Sequence, residues 1–470
     1  MDDKIQAAYT PECFIETFKT YKEAKTDIYT KIVKIPMGVD GVDWKDFERN
    51  INAIAEHVCK RAREGRHFFS PFREIEIPKP PYTRLQDARK ENKIRILSIA
   101  TIKDVIFQKI LYSVIEDYCE MKFDQLENEV SYAYRRGKSA PIAAKNIYNS
   151  IVNEGYQYAL DGDIKKFFDE IPHDRLCDKI KLFFGEDQDL VNKYLRRFVS
   201  SDRVEYSDYN GDVEKYYNQK PKRTVRKKGI PQGGVLSGLV ANIYLNDLDG
   251  FVVQKLYPKY NDQIKYLRYA DDFIVLFKDS KDIHNVYTDI KLYLANEGLE
   301  IHDIGDKTKE IDFSQEALEF LGFAISPKGI SIRKINVEKF KKRLVEKINN
   351  SKIYSQDTSK GLGIMLGKMR FKLLGSGAFD EEFTICPLCG KKRYARSWMR
   401  YFLAITDVRQ LRTLDIWIRK VVYRSYYHKT HSRLKKSRFL AYDLPSLEKL
   451  YYEYKKENRT SVASDNCHCE

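Results

Sequence analysis

Two adjacent aspartates, Asp271 and Asp272, stand between two apolar stretches of the chain at 264–269 and 273–277. Both stretches have the length and the β-branched and aromatic content of strands, so the sequence predicts a hairpin whose turn carries both carboxylates. Two neighbouring carboxylates repel each other, and such a pair is tolerated where a divalent cation neutralises it. A solvated Asp-Asp turn is the alternative, but strands this hydrophobic favour a turn at the edge of a core.

Two further features precede this hairpin. Asp163 follows a predicted strand at 156–160, with Asp161 as a local competitor for the same role, and on its own an aspartate after a strand is a weak signal. The stretch 229–234, Gly-Ile-Pro-Gln-Gly-Gly with Gln232 at its centre, opens a predicted helix. Its small residues and exposed amides would let a ligand approach the backbone closely. An ordinary loop and helix cap is the alternative.

The charge balance favours a polyanionic partner. The 470 residues contain 83 Lys and Arg against 68 Asp and Glu, a net charge of +15. Residues 391–459 hold 19 Lys and Arg but 6 Asp and Glu. Tyrosines and histidines alternate with these cations, which favours nucleic acid over a merely solvated helix face. The candidate nucleic-acid contacts fall on one arc of a predicted helix: Arg409, Arg412, Arg419, Lys420 and Arg424.

Composition excludes several classes of protein. A hydrophobic fraction of 43% with 13% aromatics excludes a mostly disordered chain. The longest apolar stretch, 234–245, is too short to span a bilayer, and the charged N-terminus has no secretory signal. Eight scattered cysteines are not a small disulfide scaffold, so we expect a cytoplasmic protein in a reducing compartment with no membrane contact.

The periodicity of apolar residues predicts mixed strands and helices, followed by a helix-rich basic end, and therefore an α+β fold. The predicted elements are helices at 102–114, 141–152, 235–248 and 282–296, short strands at 94–97, 320–325 and 330–333, and an irregular stretch at 351–385.

The order Asp163, then Pro231-Gln232-Gly233, then Tyr269-Ala270-Asp271-Asp272 resembles reverse transcriptases, in particular those of bacterial group II introns. The resemblance covers nearly the whole chain, because further blocks follow the family's order: 41–47, 95–110, 134–139, 298–308, 320–323, 397–401 and 414–418. It implies a right-hand polymerase fold. The expected domains are an N-terminal extension with fingers at 1–155, a palm at 156–334, and a thumb with a basic α-rich C-terminal region at 335–470.

The resemblance also implies the chemistry. Asp163, Asp271 and Asp272 would hold two Mg²⁺ ions, with the backbone carbonyl of Ile164 as a further oxygen ligand. Phe168 would block a ribose 2′-hydroxyl, which selects deoxynucleotides and makes an RNA-dependent RNA polymerase less favoured. The other expected nucleotide contacts are Arg95, Arg136, Gln232 and Lys307, although Lys307 could equally cap a loop.

Departures from the family pattern indicate a specialised member. Gly238 follows Ser237 where the family often has proline, and neither a Val-Thr-Gly thumb motif nor a complete endonuclease domain is recognisable. The chain is therefore closer to host-domesticated reverse transcriptases, including those of antiphage defence, and a dedicated noncoding RNA is an expected partner beside dNTPs and the DNA product. Template-independent or protein-primed DNA synthesis, or a non-catalytic RNA-binding maturase, are the alternatives.

A second metal site is suggested by cysteines near the C-terminus. Cys386 and Cys389 form half of a zinc ribbon, and Cys467 and Cys469 are the natural partners. The sequence separation is longer than a compact ribbon needs, so free thiols remain an alternative to a structural Zn²⁺.

Overall fold

The structure is a computed structural model. It describes residues 1–26, 32–82, 84–126, 129–206, 221–261, 263–349, 398–437 and 444–460, together with short pieces between 362 and 393.

Helices dominate the described residues. In chain order they are α1 Asp2–Ala8, α2 Pro11–Lys25, α3 Trp44–Arg49, α4 Ile51–Arg63, α5 Leu85–Lys90, α6 Ile102–Phe123, α7 Ala140–Asn153, α8 Phe167–Glu170, α9 His173–Phe184, α10 Asp189–Val199, α11 Ser237–Phe251, α12 Tyr257–Lys259, α13 Ile283–Asn296, α14 Lys334–Asn349, α15 Trp398–Tyr401, α16 Arg409–Thr430 and α17 Leu447–Thr460. None of the helices in the described ranges combines the length and the apolar character that crossing a bilayer requires.

The strands are short. They are β1 Phe72–Pro78, β2 Ile94–Ile99, β3 Tyr158–Asp163, β4 Arg203–Val204, β5 Ile264–Tyr269, β6 Asp272–Phe277, β7 Lys309–Asp312, β8 Leu318–Phe320, β9 Phe323–Ser326, β10 Gly329–Ile332, β11 Thr384–Ile385 and β12 Lys392–Arg393. Strands mixed with many helices confirm the predicted α+β class.

A four-stranded sheet in the order β5-β6-β3-β7 carries the predicted hairpin. β5 and β6 are its two arms, and β3 lies beside β6. Gly162 on β3 has no room for a side chain, because a Cβ there would overlap the ring of Phe273 on β6. The strand also extends through Asp163 instead of ending at residue 160, since the alternation of buried and half-buried residues continues to that position.

A second sheet, β2-β1-β4, lies earlier in the chain. β1 and β2 are antiparallel, with Arg95 opposite Ile77. The long helix α6 follows β2 directly, and the Thr101 side chain caps its N-terminus by accepting a hydrogen bond from the backbone N–H of Asp104. α6 continues nine residues beyond its predicted end at 114, because apolar residues on its buried face continue to Phe123.

Two local predictions are wrong. The stretch 320–325 is not one strand, because Leu321 and Gly322 adopt positive φ angles of 49° and 88° and form the turn between β8 and β9. The stretch 351–385 is not wholly irregular, since the residues described between 362 and 373 are helical and several of them, such as Leu366, are buried.

The chain divides into two compact units. The first comprises Met1–Arg135, Leu160–Val275 and Lys281–Lys309, and the second comprises Arg136–Ala159, Leu276–Ser280 and Glu310–Glu470. In the second unit, the Gln410 side chain on α16 accepts a hydrogen bond from the Ile332 N–H at 2.8 Å and donates one to its carbonyl at 3.0 Å, so α16 is fixed to the end of β10. The predicted domain boundaries remain a prediction.

Candidate active site

The turn between β5 and β6 consists of two residues, Ala270 and Asp271. Ala270 has φ +60°, a conformation that costs a residue with a side chain of the order of 1 kcal/mol or more. The Arg268 guanidinium donates a hydrogen bond to the Ala270 carbonyl at 3.1 Å. The turn therefore places Asp271 and Asp272 at the edge of a buried sheet, as the sequence predicts.

The structure brings Asp163 to this turn. The Asp272 carboxyl hydrogen-bonds the Asp163 carboxyl, and Asp161 is close enough to act on Asp272 electrostatically. Burial, followed by repulsion from Asp271, Asp163 and Asp161, raises the pKa of Asp272 from 3.8 to about 7. Burial also raises the pKa of Asp271. The cluster therefore concentrates more negative charge than its surroundings stabilise, with a proton held on Asp272 near neutral pH.

Lys307 is the nearest compensating charge. Its ammonium lies 2.6 Å from Asp163 Oδ2, across 144 residues of sequence. The two predicted roles, loop cap or nucleotide contact, stay predictions; in the structure the Lys307 side chain pairs with the candidate metal ligand Asp163. His302, which the sequence did not indicate, lies 3.4 Å from the same oxygen through Nε2 and 2.8 Å from Asp306 through Nδ1.

The donor set suits Mg²⁺, which prefers carboxylate oxygens. In the described part of the chain no three His, Cys, Asp or Glu side chains already stand in a metal-binding arrangement. At Asp163, one of the two carboxylate oxygens, Oδ2, is bonded to the Lys307 ammonium. Three converging carboxylates, one with a strongly raised pKa, are nevertheless the chemistry that a divalent cation neutralises. Ile164 is buried beside Asp163, and its carbonyl as a ligand stays a prediction.

Cations gather on one side of the carboxylates. Arg95 on β2 is exposed and lies near enough to Asp271 to oppose the rise in its pKa. Lys79, the residue that follows β1, was not indicated by the sequence analysis. Partial burial, together with the positive charges of Arg95 and Lys307, lowers the pKa of Lys79. The feature that could have indicated Lys79 is the antiparallel pairing of β1 with β2, which places Lys79 close to Arg95.

The loop at 229–234 is fixed to the segment that follows β3. The Ile230 N–H donates to the Phe168 carbonyl at 2.7 Å, and the Gln232 amide donates to the Asp169 carboxylate at 2.9 Å. Gly229 has φ +74°, and a Cβ there would lie 2.6 Å from the Asp169 carbonyl oxygen, so this approach requires glycine. Gln232 is thereby held at Asp169, the residue directly after Phe168.

The two adjacent phenylalanines differ in exposure. Phe167 is buried against the core at 1% exposure, whereas Phe168 is half-buried. Their rings meet edge to face at a centroid distance of 5.5 Å. Phe167 therefore belongs to the core, and Phe168 is the one of the two with surface left for a ligand.

Arg136 is exposed, while its neighbour Arg135 is buried and pairs with Glu120 and Asp124. The role of Arg136 stays a prediction. All four cysteines of the predicted zinc site, Cys386, Cys389, Cys467 and Cys469, lie outside the described residues.

The predicted basic arc lies on α16. Arg409 and Arg412 form ion pairs with Asp407 and Glu448, whereas Arg419, Lys420 and Arg424 are exposed and have no acidic partner among the described residues. The opposite face is buried, through Leu411, Leu414, Ile418, Val422 and Tyr426. The helix thus packs with one face and presents the cations on the other.

Comparison with known proteins places these features in context. The family model described as reverse transcriptase (RNA-dependent DNA polymerase) matches residues 77–325. Group II intron-encoded protein LtrA of Lactococcus lactis subsp. cremoris is 26% identical over 325 residues, covering 57% of this chain and 49% of LtrA. Protein YkfC of Escherichia coli K12 is 21% identical over 273 residues, covering 52% of this chain and 64% of YkfC. A solved apo telomerase from Candida tropicalis superposes with a TM-score of 0.46 and 14% identity, covering 87% of this chain and 66% of that one. The match thus spans about half of LtrA.

Proposed function

Because the chain belongs to the reverse transcriptase (RNA-dependent DNA polymerase) family, we propose that it copies an RNA template into DNA from dNTPs. The predicted fold class, an α+β right-hand polymerase, is confirmed by this membership. The observation that carries the proposal is the convergence of Asp163, Asp271 and Asp272 from two separate segments of the chain.

These three carboxylates would hold the metal. Two Mg²⁺ ions bound there would activate the primer 3′-hydroxyl and stabilise the charge on the triphosphate and the leaving pyrophosphate. Asp272 must be ionised to act as a ligand, so it would lose the proton that burial and its neighbours hold on it. Asp163 must exchange its bond to Lys307 for the new cation.

The cations around the carboxylates would bind the triphosphate. Arg95 and Lys307 are close enough to Lys79 to lower its pKa, so the three cations lie near one another. A triphosphate brings several negative charges, and charge-assisted bonds to Lys and Arg are the strong ones in proteins. Lys307, once displaced from Asp163, would be free to contact the nucleotide, as one of its two predicted roles requires.

Neutral substitutions test the carboxylates. We expect Asp163→Asn and Asp272→Asn each to reduce RNA-templated primer extension by about a thousandfold or more, since each removes a charge on which nucleotidyl transfer depends. Asp303→Asn is the matched control: Asp303 is an exposed aspartate paired with Lys291, and its loss should leave extension unchanged. Normal extension by a folded Asp163→Asn protein would refute the assignment.

The biological role is a further part of the proposal. The departure at Ser237-Gly238, where the family often has Ser-Pro, favours a host-domesticated enzyme of antiphage defence that acts in the cytoplasm on a dedicated noncoding RNA. Purification from cells, followed by sequencing of the bound RNA and of any attached DNA, distinguishes the alternatives. A cDNA that matches the bound RNA supports templated synthesis. Homopolymeric or protein-linked DNA supports template-independent or protein-primed synthesis, and bound RNA without DNA supports a non-catalytic RNA-binding maturase.

A further inference from the structure

Beneath the catalytic turn lies a polar network that is almost completely buried. Arg268, Asp249 and Tyr266 are each 1% exposed, and Asn242 is 0% exposed. Arg268 Nε lies 2.7 Å from Asp249 Oδ1, and Arg268 Nη2 contacts Asp249 Oδ2, so the two side chains form a bidentate ion pair. The Tyr266 hydroxyl donates a hydrogen bond to Asp249 at 3.1 Å. Burial alone would lower the pKa of Arg268, but Asp249 raises it, so the guanidinium stays charged.

The third guanidinium nitrogen points elsewhere. Arg268 Nη1 donates to Asn242 Oδ1 at 3.0 Å and to the Ala270 carbonyl at 3.1 Å. Ala270 is the strained residue immediately before Asp271. A strained backbone conformation persists only where surrounding contacts hold it in place. At Ala270 that contact comes from the charged Arg268 guanidinium, whose other two nitrogens are held by Asp249.

Asn242 connects the same network to a second strained residue. Its amide donates to the Ala133 carbonyl at 2.7 Å, and Tyr134, the next residue, has φ +54°. The Tyr134 ring lies against Gly238, where any Cβ would overlap it. Gly238 is the position at which this chain departs from the family pattern, so the packing of Tyr134 gives a physical reason for the departure.

Stability alone does not explain this arrangement. A buried ion pair is weak evidence for stability, because apolar residues of similar volume often replace it without loss. What apolar residues cannot supply is a donor for the Ala270 carbonyl. The hydrogen bond from Arg268 to the Ala270 carbonyl is therefore the contact in this network that stability does not explain.

We propose that Arg268 is a positioning residue for nucleotidyl transfer: held by Asp249 and Asn242, it fixes the Ala270 carbonyl and thereby the direction of the Asp271 and Asp272 carboxylates. The proposal rests on the proposed function for its catalytic meaning, but its physical content, a carboxylate cluster preset for a divalent cation, is measurable without catalysis. Groups that orient metal ligands typically change metal affinity or activity by about 10–100-fold when removed.

The test replaces the buried polar residues by apolar ones. The triple variant Arg268→Met, Asp249→Leu, Tyr266→Phe should keep the melting temperature near that of the wild type while losing the bond to Ala270. We expect its Mn²⁺ affinity, measured by electron paramagnetic resonance of free Mn²⁺, to fall about 10–100-fold. We expect kcat of primer extension to fall by a similar factor, with the Mg²⁺ requirement shifted upward.

Arg268→Lys is the second variant, because it keeps a charge for Asp249 and loses the fork that reaches Ala270. Reduced Mn²⁺ affinity in a folded Arg268→Lys protein supports positioning even if the triple variant fails to fold. The matched control is Lys179→Met with Glu297→Met, which removes a 3.0 Å ion pair that includes neither the turn nor the three aspartates and should leave Mn²⁺ affinity unchanged.

The outcomes separate the two proposals. Wild-type Mn²⁺ affinity in both folded Arg268 variants overturns the positioning role, whatever the polymerase does. Weakened Mn²⁺ binding in these variants, combined with a wild-type protein that extends no primer on RNA, supports the positioning role and refutes the proposed function.

Discussion

At the scale of single residues, Asp272 shows the conflict between stability and function in this site. Burial and three neighbouring aspartates raise its pKa to about 7, so without metal the folded protein keeps a proton that the unfolded chain loses near pH 4. The folded state therefore becomes less stable, relative to the unfolded state, as pH rises from about 4 to about 7, and the loss is complete above pH 7.

Asp272→Asn should remove this penalty. In EDTA at pH 8 we expect the variant to unfold with a free energy about 2–4 kcal/mol higher than that of the wild type, from about 1.4 kcal/mol for each pKa unit. The gain should shrink toward pH 4, below which both states of the wild type are protonated. Urea unfolding at several pH values measures it. A gain that is equal at pH 4 and pH 8 would contradict the raised pKa, and saturating Mg²⁺ should reduce the gain by stabilising the wild type.

Phe168 and Phe167 provide a paired test of sugar selection. Phe168→Ala should raise incorporation of ribonucleotides relative to deoxynucleotides by at least about tenfold, roughly 1.4 kcal/mol, because it removes the bulk expected to exclude the 2′-hydroxyl. Phe167→Ala should instead cost about 3–5 kcal/mol of stability, since Phe167 is fully buried, and leave the ratio unchanged. Single-nucleotide insertion kinetics with each substrate decide this, and an unchanged ratio in Phe168→Ala removes Phe168 from the role.

At the scale of elements, the β1–β2 hairpin determines where the cations lie. The antiparallel register ends with Pro78 opposite Ile94. Lys79 follows β1 directly and is therefore brought close to Arg95. The Lys79 N–H also donates to the Lys93 carbonyl at 2.8 Å, which extends the pairing by one residue. A strand pair is a rigid support, and the two cations are therefore held at a fixed spacing near the carboxylates.

Lys79→Gln should weaken nucleotide use specifically. We expect kcat/KM for dNTPs to fall about tenfold or more, in line with the roughly 1.5–3 kcal/mol of a hydrogen bond to a charged group, while RNA affinity stays unchanged. Lys90, an exposed lysine on helix α5 between β1 and β2, provides the control, and Lys90→Gln should have wild-type kinetics. Steady-state kinetics with varied dNTP measure both, and a wild-type kcat/KM in Lys79→Gln would exclude the contact.

At the scale of the whole molecule, the positive charge is concentrated late in the chain. The segment 391–459 contributes 19 of the 83 Lys and Arg and 6 of the 68 Asp and Glu. On α16, Arg419, Lys420 and Arg424 have no acidic partner within the described ranges, so they are the cations most available to RNA phosphates.

Replacing these three by glutamine should weaken RNA binding and its dependence on salt. Each lost contact to single-stranded RNA reduces the slope of log affinity against log salt by about 0.7, so we expect a reduction of about 2. Arg409→Gln with Arg412→Gln is the matched control and should have a smaller effect, because both arginines already pair with acids. Fluorescence anisotropy over a salt series gives the slopes, and identical slopes for wild type and triple variant would place RNA elsewhere.

Local sequence pattern was enough to predict the elements that carry the site. Alternation of apolar residues located the hairpin at 264–277, and the runs around Asp163 and Gln232 identified the family before any contact was known. Local periodicity suffices for this because strand and helix depend mainly on neighbouring residues. It failed at 320–325, where a positive φ at Leu321 turns a continuous apolar stretch back on itself.

Only the tertiary structure decided which side chains share the site. Asp163 hydrogen-bonds Asp272, Lys307 reaches Asp163 across 144 residues, and Lys79 and Arg268 acquire their places from a strand pair and a buried network. The pKa values follow the same rule, because desolvation and Coulomb repulsion act through space and depend on packing that no local pattern encodes.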